Sequence, residues 1–303
     1  MSIEDAVEAL RRGELVAFPT ETVYGLGADA ANPHAVARVY AAKGRPQFNP
    51  LIAHVLSAAD AEAHATLHPT ARALAERFWP GPLTLVALRK PDSAVCDLAC
   101  AGLSTIALRA PSHPIARELI DAFGGPIVAP SANRSGHVSA TNAHHVMLDL
   151  GDMVDVILDG GPSGIGLEST IVAVDAEGKA TLLRPGAIAR EQIEPITGPL
   201  AAAKGSIEAP GMMASHYAPR ARMRLDVDAP ATGESYLAFG ASAPAGGLTL
   251  SASGDLVEAA ANLYAHLRAL DAAGASVISV APIPHGGLGE AIRDRLARAA
   301  APR

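Results

Sequence analysis

Asp159-Gly160-Gly161-Pro162-Ser163-Gly164-Ile165-Gly166, with Ser169-Thr170-Ile171-Val172-Ala173-Val174 close behind it, is the passage on which the fold turns. In dinucleotide and Walker folds a glycine-dense loop lies between a strand and a helix, because the helix amino terminus supplies the amides that hold phosphate. Here Val154 to Leu158 reads as a strand before the loop, and the β-branched run after it reads as a second strand. The loop therefore opens no helix. Neither Gly-x-Gly-x-x-Gly before a helix nor Gly-x-x-x-x-Gly-Lys-Ser/Thr occurs, and Gly-x-Ser-x-Gly, His-Glu-x-x-His and calcium loops are absent too. Any nucleotide bound by this α/β chain is held by another arrangement.

Upstream, Ser2 with Asp5 makes an amino-terminal cap for a helix to about Arg12, and Leu15-Val16-Ala17-Phe18 reads as a strand stopped by Pro19. Thr20 to Gly27 reads as a tight loop bracketed by Gly25 and Gly27. Residues 35–42 are helical and deliver Lys43-Gly44-Arg45-Pro46 at their carboxyl end, where the helix dipole favours cations. Further strands are predicted at 51–56, 83–88, 104–109 and 126–129, and helices at 70–79, 114–123 and 142–150. His64 and His68 share helical spacing without a partnering ligand cluster and read as surface residues. Downstream, 193–221 lacks periodicity and is rich in Gly, Pro, Ala and Met, the signature of a linker. Its Pro210-Gly211-Met212-Met213 and His216-Tyr217 pairs are too apolar for a pure spacer, so it should fold back on the main domain. Strands at 222–227, 235–239 and 276–281 with helices at 255–270 and 288–299 then make a small α/β domain.

Composition bounds the rest. With 303 residues, 49% of them hydrophobic, the chain can bury one large core and a smaller one. Lys+Arg against Asp+Glu is 15 to 20 in residues 1–190 and 9 to 11 in 191–303, which adds to the totals of 24 and 31 and a net charge of −7. That balance argues against direct tRNA binding. Met1 to Asp5 carries acids where a secretion signal carries bases, and no apolar run approaches the ~18 residues of a membrane span. A soluble cytoplasmic protein is the expectation, with no membrane. Cys96 and Cys100 fit neither a zinc site nor Cys-x-x-Cys and read as passive thiols in a reducing compartment.

Two segments point to chemistry. Lys43 is one of only four lysines, and with Arg45 it can set a point charge and a planar fork against phosphate oxygens. Pro130-Ser131-Ala132-Asn133 places a hydroxyl and an amide after the apolar Ile127-Val128-Ala129, where α/β sheets present ligand contacts. Each alone also fits an ordinary surface turn.

Together with Phe18-Pro19-Thr20-Glu21-Thr22-Val23-Tyr24-Gly25-Leu26, Asn49-Pro50-Leu51, Phe78-Trp79-Pro80-Gly81-Pro82-Leu83-Thr84 and Ser169-Thr170, these segments closely resemble the YrdC-like threonylcarbamoyl-AMP synthases. The tail from Pro210 resembles the long form with an added C-terminal domain. The resemblance implies a YrdC-like twisted mixed sheet with flanking helices in 1–192, a linker or lid over the active site in 193–221, and a smaller Rossmann-like α/β domain in 222–303. It implies an enzyme that joins L-threonine, bicarbonate or CO2, and ATP with Mg2+ into L-threonylcarbamoyladenylate and pyrophosphate, for the machinery that modifies tRNA at position 37. Carried over by position, Thr22, His54, Arg109, Ala129 and Ser169 would contact threonine. Lys43, Arg45, Asn49, Thr105, Ser131, Asn133, Ser139, Arg184 and Tyr217 would surround ATP, with Lys43, Arg45, Ser131 and Asn133 as the catalytic set. The resemblance implies no resident metal site. Many relatives carry a base just before the His-Tyr pair, where this chain has Ser215.

Read without the resemblance, Thr22 and Thr105 also fit as strand fillers, His54 as a core histidine and Arg109 as a surface cation. Two other functions compete. A carbamoyl-adenylating module like that of hydrogenase maturation proteins would be accompanied by zinc-finger-like cysteines and an acylphosphatase region, which this chain lacks. An RNA-binding factor would need a basic excess.

Overall fold

In the computed structural model, which describes residues 1–203, 209–213 and 215–302, two sheets lie side by side. The strands of the first are β1 (Val16–Phe18), β2 (Gly25–Asp29), β3 (Ile52–His54), β4 (Ala65–Thr66), β5 (Leu83–Arg89), β6 (Thr105–Arg109), β7 (Ile127–Val128), β8 (Val156–Ile157), β9 (Thr170–Val174), β10 (Ala180–Arg184) and β11 (Ala201–Ala202). They run in the order β11-β10-β9-β5-β6-β3-β7-β2-β1-β8, with β4 beside the far end of β5. Parallel pairs (β3 with β6, β5 with β9) alternate with antiparallel ones (β5 with β6, β3 with β7), so the sheet is mixed. The second sheet orders β12 (Arg222–Arg224), β15 (Val277–Val280), β13 (Ser235–Phe239) and β14 (Leu248–Ser251), with every pair parallel.

The helices are α1 (Ile3–Arg11), α2 (Pro33–Lys43), α3 (Ala58–His64), α4 (Pro69–Phe78), α5 (Pro114–Phe123), α6 (Ala143–Leu150), α7 (Arg190–Thr197), α8 (Leu256–Ala272) and α9 (Leu288–Ala300). Local chemistry sets their ends. Ser2 and Asp5 close the predicted capping box on α1. Asn32 caps α2 ahead of Pro33, and Gly44 in the left-handed region (φ 59°) turns the chain out so that Lys43 is the last helical residue.

Alternation along the strands divides the large sheet into two faces. Ala53, Leu85, Leu108 and Val172 belong to the main core with α2, α4 and α7 residues such as Val36, Leu74 and Ile193. On the other face, α1 and α5 cover Val16, Phe18, Ile127 and Val156 at one end. The remaining floor of Ile52, Val86, Ala107, Ile171 and Leu183 packs against Ala203, Ala209 and Met212 of the segment that joins the two domains. The site lies on this floor.

Several local expectations are corrected. Residues 25–29 form strand β2, because Gly27 lets the strand cross Phe18: a Cβ there would sit 2.7 Å from the Phe18 ring. His64 and His68 do not share a helix. His64 ends α3 and is buried, while His68 caps α4 through Thr70, with β4 between them. Part of the stretch read as unstructured from 193 onward continues α7, and β11 adds to the large sheet beside β10. Residues 204–208 and 214 of that stretch lie outside the described residues. The second domain has an additional strand, β14.

The second domain does not hang free. Its core of Leu237, Leu250, Leu263, Leu267, Ile278 and Leu296 includes Val23, Val138 and Leu167 of the first domain. Arg268 of α8 makes a bidentate pair with Asp149 at 2.6 and 3.0 Å. No helix among the described residues is long and apolar enough to cross a membrane.

Candidate active site

The parallel pairing of β3 with β6 sets His54 beside Arg109. Arg109 donates to the Glu21 carboxylate at 2.6 Å and to the Gly81 carbonyl at 3.4 Å, and the other Glu21 oxygen accepts from the Ser112 amide at 3.1 Å. Burial would raise the Glu21 pKa, but the Arg109 charge and these hydrogen bonds outweigh it and hold the carboxyl below its usual value. The Arg109 guanidinium is thus aimed from two sides. His54 is buried, meets Phe18 edge-on, and is pushed down to about 3 by burial and by Arg109, so its ring is neutral at pH 7. Thr22 closes this end, its hydroxyl 2.8 Å from that of Thr20.

Across the floor, β7 runs antiparallel to β3, so Ala129 meets Ile52 by a backbone hydrogen bond of 3.0 Å and Ser131 follows it into the cavity wall. Lys43 reaches over from α2. Its ammonium donates to the Ser131 carbonyl at 2.5 Å and to the Asn133 carbonyl. Burial and the neighbouring Arg45 push its pKa well below the ordinary lysine value. Arg45 donates to the carbonyls of Asn49 (3.1 Å) and Pro50 (2.8 Å) and is pushed down to about 10, first by burial.

The third wall comes from β9 and β10. A bulge between Leu182 and Arg184 places Arg184 on the floor side, where it grips the Ser169 carbonyl at 2.9 Å and the Ser169 hydroxyl at 3.1 Å. Ser169 also shares a hydrogen bond of 2.8 Å with Thr84. Overhead, Arg184 donates to the Pro210 carbonyl at 3.3 Å, and Gly211 in the left-handed region (φ 82°) leaves room for the Tyr217 hydroxyl, 2.6 Å from where a Cβ would stand.

One cavity is lined by Thr22, Arg45, His54, Arg109, Ala129 and Ser131 from the first walls, and by Ser169, Arg184 and Tyr217 from the others. Lys43, Asn49, Asn133 and Ser139 stand behind that lining, each bonded to a neighbour of it: Lys43 to Ser131, Asn49 to Arg45, Asn133 to Lys43, and Ser139 to Glu168. Thr105 is not brought to the cavity. It begins β6 at the end away from Arg109, paired with Leu88. Sequence reasoning passed over Glu21, Glu168 and Thr84, although all three sit inside or beside the quoted motifs. An acid between two threonines was the available signal for Glu21, and an acid directly before Ser169-Thr170 the signal for Glu168.

Among the described residues, Asn49 Oδ1, His54 Nδ1, Asn133 Oδ1 and the Tyr217 hydroxyl are buried with no hydrogen-bond partner. Folded proteins leave few such atoms, and here two of the four belong to the cavity lining while the two asparagine oxygens lie behind it. The free volume is about 40 Å³. Ligand sites for small molecules measure roughly 300–1,000 Å³. In this conformation Pro210, Gly211, His216 and Tyr217 occupy the roof.

A family model described as Telomere recombination (Sua5_yciO_yrdC) matches residues 8–186, and one described as Threonylcarbamoyl-AMP synthase, C-terminal domain, matches residues 188–301. The threonylcarbamoyl-AMP synthase of Bacillus subtilis (strain 168) is 42% identical, over 99% of this chain and 93% of its own length. That of Pyrococcus abyssi (strain GE5 / Orsay) is also 42% identical, over 98% and 93%. The crystal structure of P. abyssi Sua5 complexed with L-threonine superposes with a TM-score of 0.91 at 39% identity, covering 98% of this chain and 94% of that one. With matches of this extent across both domains, the chain belongs to the threonylcarbamoyl-AMP synthase family.

Proposed function

We propose that the cavity condenses L-threonine, bicarbonate or CO2, and ATP into L-threonylcarbamoyladenylate and pyrophosphate. The observation that carries this reading is the convergence in one cavity, on one apolar sheet face, of Arg109, His54, Thr22 and Ser169, which would make the amino-acid end, with Arg45, Arg184 and Ser131, which would make the phosphate end. Arg109 would exchange part of its hold on Glu21 for the threonine carboxylate. The neutral threonine amine adds to CO2 and gives up a proton to solvent, an oxygen of the resulting carbamate anion attacks the α-phosphorus, and the bond to pyrophosphate breaks in line. No protein nucleophile is required. Holding two reactants in register and surrounding the phosphates with fixed cations supplies the acceleration. Neutral His54 orients and accepts hydrogen bonds there without adding charge.

The donor set also bears on magnesium. Glu168 is an acid in the cavity lining, and it is already engaged by three protein donors. No group of three or more His, Cys, Asp or Glu among the described residues could hold a metal. The ion that accompanies ATP therefore fits as a partner of the phosphate oxygens, where it would neutralise charge. Because the roof leaves too little room for ATP, Pro210, Gly211, His216 and Tyr217 would have to lift to admit the nucleotide, and would shield the carbamate from water on closing. The product would pass to the cytoplasmic threonylcarbamoyl-transfer machinery for tRNA.

The direct test mixes the protein, Mg-ATP and bicarbonate with and without L-threonine and follows pyrophosphate, with the adenylate identified by mass. Pyrophosphate release indifferent to threonine would defeat the reading. Specificity follows from the polar lining. Valine leaves the groups that meet the threonine hydroxyl unpaired, whereas serine loses only a methyl contact, worth about 1–3 kcal/mol. Valine should be refused more strongly than serine, and equal turnover of the two would contradict this.

A further inference from the structure

The second domain touches the active site through one buried carboxylate. Glu168 lies immediately before Ser169 and in the cavity lining. One of its oxygens accepts from Arg295 Nε of α9 at 2.7 Å and from the Tyr264 hydroxyl of α8 at 2.8 Å. The other accepts from the Ser139 hydroxyl at 2.5 Å. Arg295 is fully buried, stands 5.0 Å from the centre of the Tyr217 ring, and is steadied by Asp294 at 2.6 Å. Tyr217 in turn stacks on Tyr264 with ring centres 5.8 Å apart. Arg298, one turn further along α9, donates to the Met213 carbonyl of the roof at 2.6 Å.

Stability alone is a poor reason for this arrangement. A buried ion pair costs several kcal/mol of desolvation per ion and is often matched or bettered by apolar side chains of similar size. The surrounding interface of Leu263, Leu267, Leu296, Val23 and Leu167 shows that such packing was available. What the pair achieves is orientation. With Glu168 ionised, the Ser139 proton is committed to it, leaving Ser139 only acceptor capacity toward a ligand. The Ser169 carbonyl, one residue on, is the group that aims Arg184.

We propose that Arg295 and Tyr264 are positioning residues of the active site: by fixing Glu168 they set the donor and acceptor pattern of Ser139, Ser169 and Arg184, so the C-terminal domain completes the nucleotide cradle of the first. The proposal rests on the ATP-dependent function above. It separates from a merely structural role because charge and stability can be restored without restoring orientation.

The experiment compares the full-length wild type with Glu168→Gln, Arg295→Met, Tyr264→Phe and the double variant Glu168→Gln/Arg295→Met. It measures denaturant midpoints, Mg-ATP affinity by calorimetry, and kcat and KM for ATP and threonine. Each single charge variant leaves an unpaired buried group and should lose stability; the double variant should regain most of it. The double variant and Tyr264→Phe should still bind Mg-ATP about tenfold or more weakly, the scale of one lost hydrogen bond to a charged group. Their KM for ATP should rise more than their KM for threonine. A double variant with wild-type stability and wild-type Mg-ATP affinity would overturn the proposal. A wild type that binds Mg-ATP but releases no threonine-dependent pyrophosphate would strike the reaction instead, and the affinities would still decide the cradle. A wild type that binds no Mg-ATP would overturn both.

Discussion

Two arginine–glutamate pairs border the cavity, and they are built for different tasks. Arg109–Glu21 lies within the first domain, with side chains 5% and 13% exposed, and each partner has other hydrogen bonds. Arg295–Glu168 spans the two domains, 0% and 7% exposed, in a network with Ser139, Tyr264 and Asp294. In the proposed reaction the first would release its arginine to an incoming carboxylate, because Arg109 keeps a second acceptor in the Gly81 carbonyl and Glu21 a second donor in the Ser112 amide. The second has no such latitude, and in it the carboxylate is held at about 2: burial raises it, but Arg295, Arg184 and the Ser139 hydrogen bond outweigh burial. A buried charge pair can thus be a substrate hand or a brace, and what else each partner touches decides which.

The sharpest way to break that contrast is Arg109→Ala. Removing one partner of a buried charge pair costs about 2–5 kcal/mol, which corresponds to a fall of roughly 30-fold to several thousandfold in kcat/KM for threonine. Arg109→Lys should recover little, since an ammonium cannot form the planar fork. Mg-ATP affinity should change far less than the threonine parameters. Equal losses on both substrates would mean that Arg109 braces the fold as Arg295 does.

Next in size are two glycines, both on the Glu168 side, one against its backbone and one at the domain contact. A Cβ on Gly186 would lie 2.5 Å from the backbone of Glu168, Ser169 and Thr170. One on Gly166, already at φ 74°, would lie 2.5 Å from the Ala260 carbonyl of α8. Neither obstacle is a flexible side-chain end, so alanine should cost about 1–3 kcal/mol at either place, measured by denaturant midpoint. Gly166→Ala should loosen the domain contact and raise KM for ATP. Gly186→Ala should displace Ser169 and affect both substrates.

Much of this was legible before any coordinates. The strand, loop, strand reading of 154–174 removed the dinucleotide and Walker alternatives, and the quoted motifs led to residues that now line one cavity, among them Arg45, Arg109, Ser131 and Arg184. Strand β2 was hidden because its glycines have a packing cause, the Phe18 ring, that no propensity scale contains. Arg295 was illegible for another reason. With Asp294 and Arg298 beside it, it has the charge pattern of a solvent-facing helix, and only the docking of α9 on Glu168 makes that face interior. Thr105 marks the opposite limit, a motif position that the geometry leaves outside the cavity.

Acid separates the two regions more gently. His54 on the floor and His216 in the roof are each pushed down to about 3, mainly by burial. Between their unfolded value near 6.5 and about 3 the unfolded chain binds protons that the native chain refuses, so stability falls as pH falls, by up to about 1.4 kcal/mol per pH unit for each histidine. Glu168 works in a later window: its folded value is lowered, so its contribution is present above about 4.5 and is lost as pH drops toward about 2. A denaturation midpoint followed from pH 7 to 4 should decline already from about 6.5, and His216→Phe should flatten that slope over the whole of this range, leaving the part due to His54 and, below about 4.5, to Glu168. A midpoint constant down to pH 5 would contradict neutral burial of both rings.

The smallest effect belongs to a third pair at the rim of the domain interface. Arg190 of α7 bonds Glu290 of α9 at 2.6 and 2.9 Å, in the same bidentate manner as a buried pair, but the side chains are 36% and 30% exposed. Water competes for both partners and salt screens them, so Glu290→Gln should cost about 1 kcal/mol or less. The loss should shrink further in 0.5 M salt, while the cost of Glu168→Gln should hardly respond. If the rim substitution destabilised the protein as much as the buried one, exposure would not be what distinguishes the pairs, and the brace at Glu168 would need another cause than its burial against Arg295.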